Sequence, residues 1–165
     1  MVQIDFPIPV IEDKPTIKLI GISMEMSLMN NQTPALWKSF MPIRNQIKNR
    51  ANDLVVSVQK YQPGYFETFS PTNTFEKWAT LEVTDDSWIP EGMKAIQIPS
   101  GTYAIFKHEG DNPPLELFQY IFDKWLPESG YHLDQRPHLD WLHENYLNGN
   151  RTEAIWIPVH SANRR

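Results

Sequence analysis

The sequence contains no cysteine, which excludes a disulfide framework, a thiol nucleophile and a thiolate metal site. It is also short of positive charge. Fifteen Lys and Arg against 20 Asp and Glu leave a formal net charge of −5, whereas a surface that grips nucleic acid needs a basic stripe to neutralise phosphates. Direct nucleic-acid binding is therefore not expected, and the closing SANRR is too short a basic tail to change that. No apolar run approaches the roughly 20 residues that span a bilayer. The opening MVQIDFPIPVIEDKP lacks the basic stretch and uninterrupted apolar core of a secretory signal. The expected location is the cytoplasm, with no membrane contact. Glycine-rich phosphate cradles and a G-x-S-x-G elbow are missing too, which removes common signatures of nucleotide binding and serine catalysis.

Aromatic residues, by contrast, are plentiful: six Trp, six Tyr and eight Phe make 12% of 165 residues. A chain of this length suits one compact domain, 1–165, or two half-domains sharing a core. Such a core is too small to hide every ring and find a partner for every indole N–H, so some rings are expected to line a pocket or surface. Their placement follows a repeat. LIGISMEM (19–26), LWKSFMPIRNQI (36–47), DLVVSVQKY (53–61) and FEKWATLEV (75–83) read as strand, helix, strand, strand. GTYAIFKH (101–108), LELFQYIFDKWL (115–126), RPHLDWLHENY (136–146) and EAIWIPV (153–159) read the same way. The helices rest on Leu36, Phe40, Ile43 and Ile47, and on Leu115, Phe118, Phe122 and Trp125. Thr33 is the expected N-cap with Pro34 at the first helical position, and Pro42 predicts a kink or short break. The proline-rich first 16 residues form an extended arm suited to a sheet edge. The fold expected is α+β: duplicated βαββ units, half-repeats about 16–84 and 100–160, with antiparallel sheets, two helices on one side and a cleft between the halves.

Period-two alternation assigns faces. In the first strand Lys18, Ile20, Ile22, Met24, Met26 and Leu28 face the core, leaving Leu19, Gly21, Ser23, Glu25 and Ser27 as a polar face. The last strand of each copy sets a Trp against an aliphatic row: Trp78 against Ala79 and Leu81, Trp156 against Ile155 and Ile157. If the aliphatic rows meet the helices, the Trp side also carries Ser57, Gln59, Tyr61, Glu82 and Glu25. Trp, Tyr and carboxylates together suit a flat, apolar, preferably cationic guest, because rings supply area and cation–π attraction and a carboxylate supplies the counter-charge. The same pattern would serve as the half-buried face of an open sheet or a homodimer contact. Asp140, Glu82 or Glu25 in such a pocket would also be a candidate acid or base. His138, Asp140 and His143 are ligand-type residues, but on a strand His143 points away from the other two, so no metal site is expected.

In order and spacing, LIGISMEMSL with TPALWKSFMPIRNQIKNR, FEKWATLEV, P-x-G-M, GTYAIFKHEG, WLPESGYHLDQRPHLDWL and EAIWIPV resemble the GyrI-like family over about residues 16–160. This is the effector-binding domain at the C-terminus of some AraC-type and MerR-type transcription activators. The resemblance implies a duplicated βαββ unit, a cleft that takes up small hydrophobic and cationic molecules, and a central acidic residue that falls on Asp140. Trp156 and Tyr103 match aromatic positions of the family pattern. The ligand-binding set is then Asp140, Trp156, Tyr103, Trp78, Glu82 and Tyr61, with no cofactor. A haem alternative, drawn from the related SOUL-like fold, would need His108 or His138 on the cleft. No helix-turn-helix segment precedes the domain, so the expectation is a stand-alone ligand binder. Two alternatives stay open: a hydrolase of reactive small molecules using Asp140 or Glu82, and a protein-interaction module such as an inhibitor of a DNA-handling enzyme.

Overall fold

A computed structural model of the chain describes residues 6–109, 115–143 and 152–161. The alternating segments become strands β1 (Val10–Lys14), β2 (Ile17–Ser27), β3 (Leu54–Lys60), β4 (Thr74–Glu82), β5 (Lys94–Ile98), β6 (Gly101–Glu109), β7 (Tyr131–Leu133), β8 (His138–His143) and β9 (Thr152–Ser161). Helix α1 (Thr33–Phe40) follows β2, and α2 (115–128) follows β6. All pairings are antiparallel, in the order β1-β6-β9-β8-β3-β4-β2-β5, with β7 on the end of β9. Each half is therefore arranged first strand, last strand, middle strand, and the middle strands β3 and β8 meet at the centre. This is the expected duplicated α+β architecture. The 144–146 end of the expected RPHLDWLHENY strand lies outside the described residues.

The outer edges depart from a simple repeat. The N-terminal arm pairs as foreseen, but with β6 of the second half, Val10 opposite Ile105. β5, which follows the connector, pairs with β2 of the first half, Ile17 opposite Ile98. Both β5 and the three-residue β7 escaped the sequence pattern, because so few residues leave little alternation to read.

Local chemistry explains the helix ends. α1 stops at Phe40 and tightens into a 3-10 turn, Met41–Gln46, with Pro42 in its first positions, where a proline lacks the N–H that would continue the α-helix. Thr33 is not the cap; it is the first helical residue, and Gln32 at the N-cap makes no side-chain capping bond to the helix, its Nε2 donating to Asn30 Oδ1 instead. The Thr33 hydroxyl instead accepts from Lys77 Nζ at 3.1 Å. α2 widens into a π-helical stretch over Tyr120–Trp125, a feature that turns side chains out of the 3.6-residue register. Its buried residues are accordingly Leu117 and Ile121, while Leu115 of the expected stripe is exposed.

Both faces of the sheet are covered. On the helix side, one cluster beneath α1 joins Leu36 and Phe40 to Ile20, Ala79 and Leu81. A second beneath α2 joins Leu117 and Ile121 to Phe106, Ile155 and Ile157. The far side holds Ile17, Leu19, Val56, Val58, Trp78, Tyr103, Leu139 and Trp141. Two face assignments are thereby corrected. Ile17 and Leu19 are buried on the side of β2 read as polar. Val58 lies directly opposite Trp78, so Val56 and Val58 share the Trp face and Ser57 and Gln59 turn toward the helices. A sheet packed on both sides offers two apolar rows, and a one-residue shift of register exchanges them. Among the described residues no helix is long and apolar enough to cross a membrane.

Candidate functional site

Between the two helix-side clusters the central seam is polar. Ser57 on β3 stands opposite Asp140 on β8, and Gln59 opposite His138. Lys77 of β4 lies beyond Gln59, and Glu153 of β9 lies beyond Leu142. Gln59 Nε2 donates to Ser57 Oγ at 2.7 Å and to Asp140 Oδ2 at 3.4 Å. Ser57, Gln59, His138 and Glu153 are buried, whereas Asp140 and Lys77 keep partial exposure. Glu153 Oε2 has no hydrogen-bond partner among the described residues.

These groups form one electrostatic unit. Burial pushes the Asp140 carboxyl above the usual range, opposed by the charge of Lys77 and the bond from Gln59. Burial pushes Glu153 up as well, reinforced by Asp140 and opposed by Lys77. Lys77 is lowered by its own burial, against the pull of both acids. Two like charges and one opposite charge out of water share protons as a set, so the two carboxyl groups titrate as a coupled pair.

An aromatic roof closes over the seam. β3 runs into Tyr61, and Gly64, at φ 85°, supplies the left-handed turn that a side chain would strain. The chain then returns Tyr65 and Phe66 across the cleft. Tyr61 meets Tyr65 at 4.6 Å, Phe66 at 4.8 Å and His138 at 4.8 Å between ring centres. Phe66 stacks on Phe122 of α2 at 5.2 Å and on His138 of β8 at 5.5 Å, both at 18°. A first-half loop thus lays Phe66 against a pair of second-half rings, Phe122 and His138, whose own centres are 6.2 Å apart. Burial, helped by the charge of Arg136, lowers the His138 pKa to about 3, so this imidazole is a neutral aromatic wall at physiological pH. The Tyr61 hydroxyl is held protonated by burial, with Tyr65 and Asp140 adding to the effect. Beside Tyr61 and Phe75 an open cavity of about 330 Å³ is flanked by Glu25, Lys60 and Glu76.

Of the six residues expected to bind ligand, only Asp140 and Tyr61 belong to this seam. Trp78, Tyr103 and Trp156 pack in the far-side cluster. Each of those rings already carries a cation of the chain: Lys94 over Trp78 at 4.7 Å, Arg136 over Tyr103 at 4.6 Å and Lys14 over Trp156 at 5.1 Å. Glu82 Oε1 accepts from Asn52 Nδ2 at 2.8 Å, at the end of β4 on the same side as Trp78. The structure does not gather the six into one pocket. The residues that join Asp140 instead are Lys77, Gln59, Glu153, Phe66, Phe122 and His138. Period-two counting could have found them only with the β3–β8 register in hand. His143 lies opposite Leu54 on the side away from His138 and Asp140, and among the described residues no group of three or more such side chains is placed to hold a metal ion.

Over residues 10–159 the chain matches the Cass2 family, integron-associated effector binding protein. The transcriptional regulator BrlR of Pseudomonas aeruginosa is 25% identical over 157 residues, covering 91% of this chain and 54% of BrlR; the chain thus spans about half the length of that relative. An integron cassette protein from the mobile metagenome of Vibrio cholerae has the same fold, with a TM-score of 0.67 at 16% identity, covering 94% of this chain and 97% of that one. SAV2435, solved bound to tetraphenylphosphonium, gives a TM-score of 0.66 at 11% identity, covering 92% and 93%. The paired halves, the shared central sheet and a family match over most of the sequence agree: the chain belongs to the Cass2 family of GyrI-like effector-binding domains.

Proposed function

We propose that the chain takes up a small, largely apolar organic cation in the cleft between its halves, with Asp140 and Glu153 as counter-charges and Tyr61, Tyr65, Phe122 and His138 as walls. The observation that carries this reading is the imbalance at the seam. Two carboxyl groups removed from water face one lysine, Lys77, under rings over which no lysine or arginine stands among the described residues. A cation with apolar flanks meets both needs, since rings attract it and a desolvated carboxylate neutralises it. The tetraphenylphosphonium bound to SAV2435 is a molecule of that type on the same fold, which supports the reading. Phe66 packs against both Phe122 and His138, whose own ring centres are 6.2 Å apart, and a ring-bearing ligand takes the place of Phe66 as the 61–73 loop lifts.

Calorimetric titration with tetraphenylphosphonium and with neutral triphenylphosphine oxide tests the reading. Saturable binding of the cation, about tenfold or more tighter than the neutral compound, is the expected result; no saturable binding of any lipophilic cation refutes it. The coupled, proton-retaining carboxyl pair favours a second reading, acid–base hydrolysis of a reactive small molecule. Turnover abolished by Asp140→Asn while binding persists would establish it.

A further inference from the structure

We propose that Glu153 makes this cleft selective for cations that carry an N–H donor, protonated amines rather than quaternary ammonium or phosphonium ions. The inference rests on the reading of the seam as a cation site and goes beyond it, because it concerns the hydrogen and not only the charge. The two carboxyl groups are not equivalent. Asp140 is answered within the chain: Gln59 Nε2 donates to its Oδ2 at 3.4 Å. Glu153 is 5% exposed, and its buried Oε2 finds no donor among the described residues.

The surroundings of Glu153 sharpen the contrast. Leu142 of β8 flanks it on one side and His108 of β6 on the other. Lys77, the cation that shares its field together with Asp140, is tied toward α1 by its bond to the Thr33 hydroxyl. A buried acceptor without a donor keeps its full desolvation cost. An ammonium hydrogen aimed at Oε2 removes that cost and adds a charge-assisted bond, the stronger kind of hydrogen bond. A quaternary centre brings the same charge sheathed in carbon and has no hydrogen to give.

The test uses two probes with the same ring system: (anthracen-9-ylmethyl)ammonium and its N,N,N-trimethyl derivative, titrated calorimetrically into the whole chain at neutral pH. The primary ammonium is costlier to strip of water, so an unspecific apolar cleft prefers the trimethyl compound. The expected result is the reverse, with the primary ammonium bound about tenfold or more tighter. In Glu153→Gln that advantage should shrink to within about threefold while the trimethyl compound still binds. Equal or tighter binding of the trimethyl compound to the wild type overturns the inference and leaves the cation site standing. Absence of saturable binding by both overturns the site and the inference together. The wild-type pair decides the matter even if the Glu153→Gln chain folds poorly.

Discussion

The two faces of the central sheet both gather aromatic rings, and they complete them differently. On the far face Trp78, Tyr103 and Trp156 lean on aliphatic neighbours and receive Lys94, Arg136 and Lys14 from the chain itself. On the helix face Tyr61, Tyr65, Phe66 and Phe122 meet one another and His138, Asp140 acts on the Tyr61 hydroxyl, and Glu153 follows farther along the seam. The far face holds its own cations and is a core with a charged rim. Among the described residues the two acids of the helix face share one lysine, Lys77, and the proposed uptake of a cation rests on that imbalance. Aromatic area alone does not mark a binding surface; whether the chain has already supplied the partner does.

The largest effect expected on this contrast is Trp78→Ala. It removes a buried ring and should lower stability by about 3–5 kcal/mol, leaving the affinity for a lipophilic cation within twofold, as read by urea unfolding and calorimetry. Lost affinity with stability intact would move the site to the far face. The pH dependence of stability comes next. Burial raises the carboxyl pKa of both Asp140 and Glu153, so the folded chain holds protons that the unfolded chain has released. Stability is then fullest below about pH 4, the ordinary carboxylate range, and declines as pH rises through the raised values, by an amount on the order of a few kcal/mol. Urea midpoints from pH 4 to 9 should show the fall, and Glu153→Gln should flatten it. Asp140→Asn should weaken cation binding about 10- to 100-fold, with no comparable effect from Glu82→Gln. Phe66→Ala carries the smallest expected change and an unusual sign: affinity for a ring-bearing cation rises about three- to tenfold, because the ring that covers Phe122 and His138 is gone. Weaker binding by this variant would make Phe66 a wall of the site rather than its cover.

Much of the architecture was legible because long alternating segments such as 19–26 and 75–83 specify strands, and Leu36 and Phe40 specify a helix. The family resemblance placed Asp140 near the centre of the cleft, and it stands on the central strand β8. The facing of β3 was not legible. Alternation alone puts Ser57 and Gln59 on the Trp face and turns Val56 and Val58 the other way, yet Val58 stands opposite Trp78 on the far face and the polar row goes to the seam. That choice is made by Trp78 across the strand pair, a tertiary effect. Glu153 was visible as an acid but not as a buried one, since its burial depends on strands β6 and β8 closing around it. The π-helical widening in α2, which leaves Phe122 free to stack on Phe66, has no signature in a 3.6-residue count.

The crossed edge strands bear on how such a molecule is made. β2 leaves the ribosome long before β5, its outer neighbour, and until β5 arrives β2 shows an open row of amide groups of the kind that invites wrong pairing. β1 waits longer still, for β6. Neither half can be completed from its own residues, so the duplicated unit has no finished monomeric form. Two copies of the half-sequence on separate chains would have to clasp reciprocally, each lending its leading strand to the other around a twofold axis. Joining them in one chain turns that dimer into a single late, cooperative closure dominated by contacts distant in sequence, a topology that folds slowly.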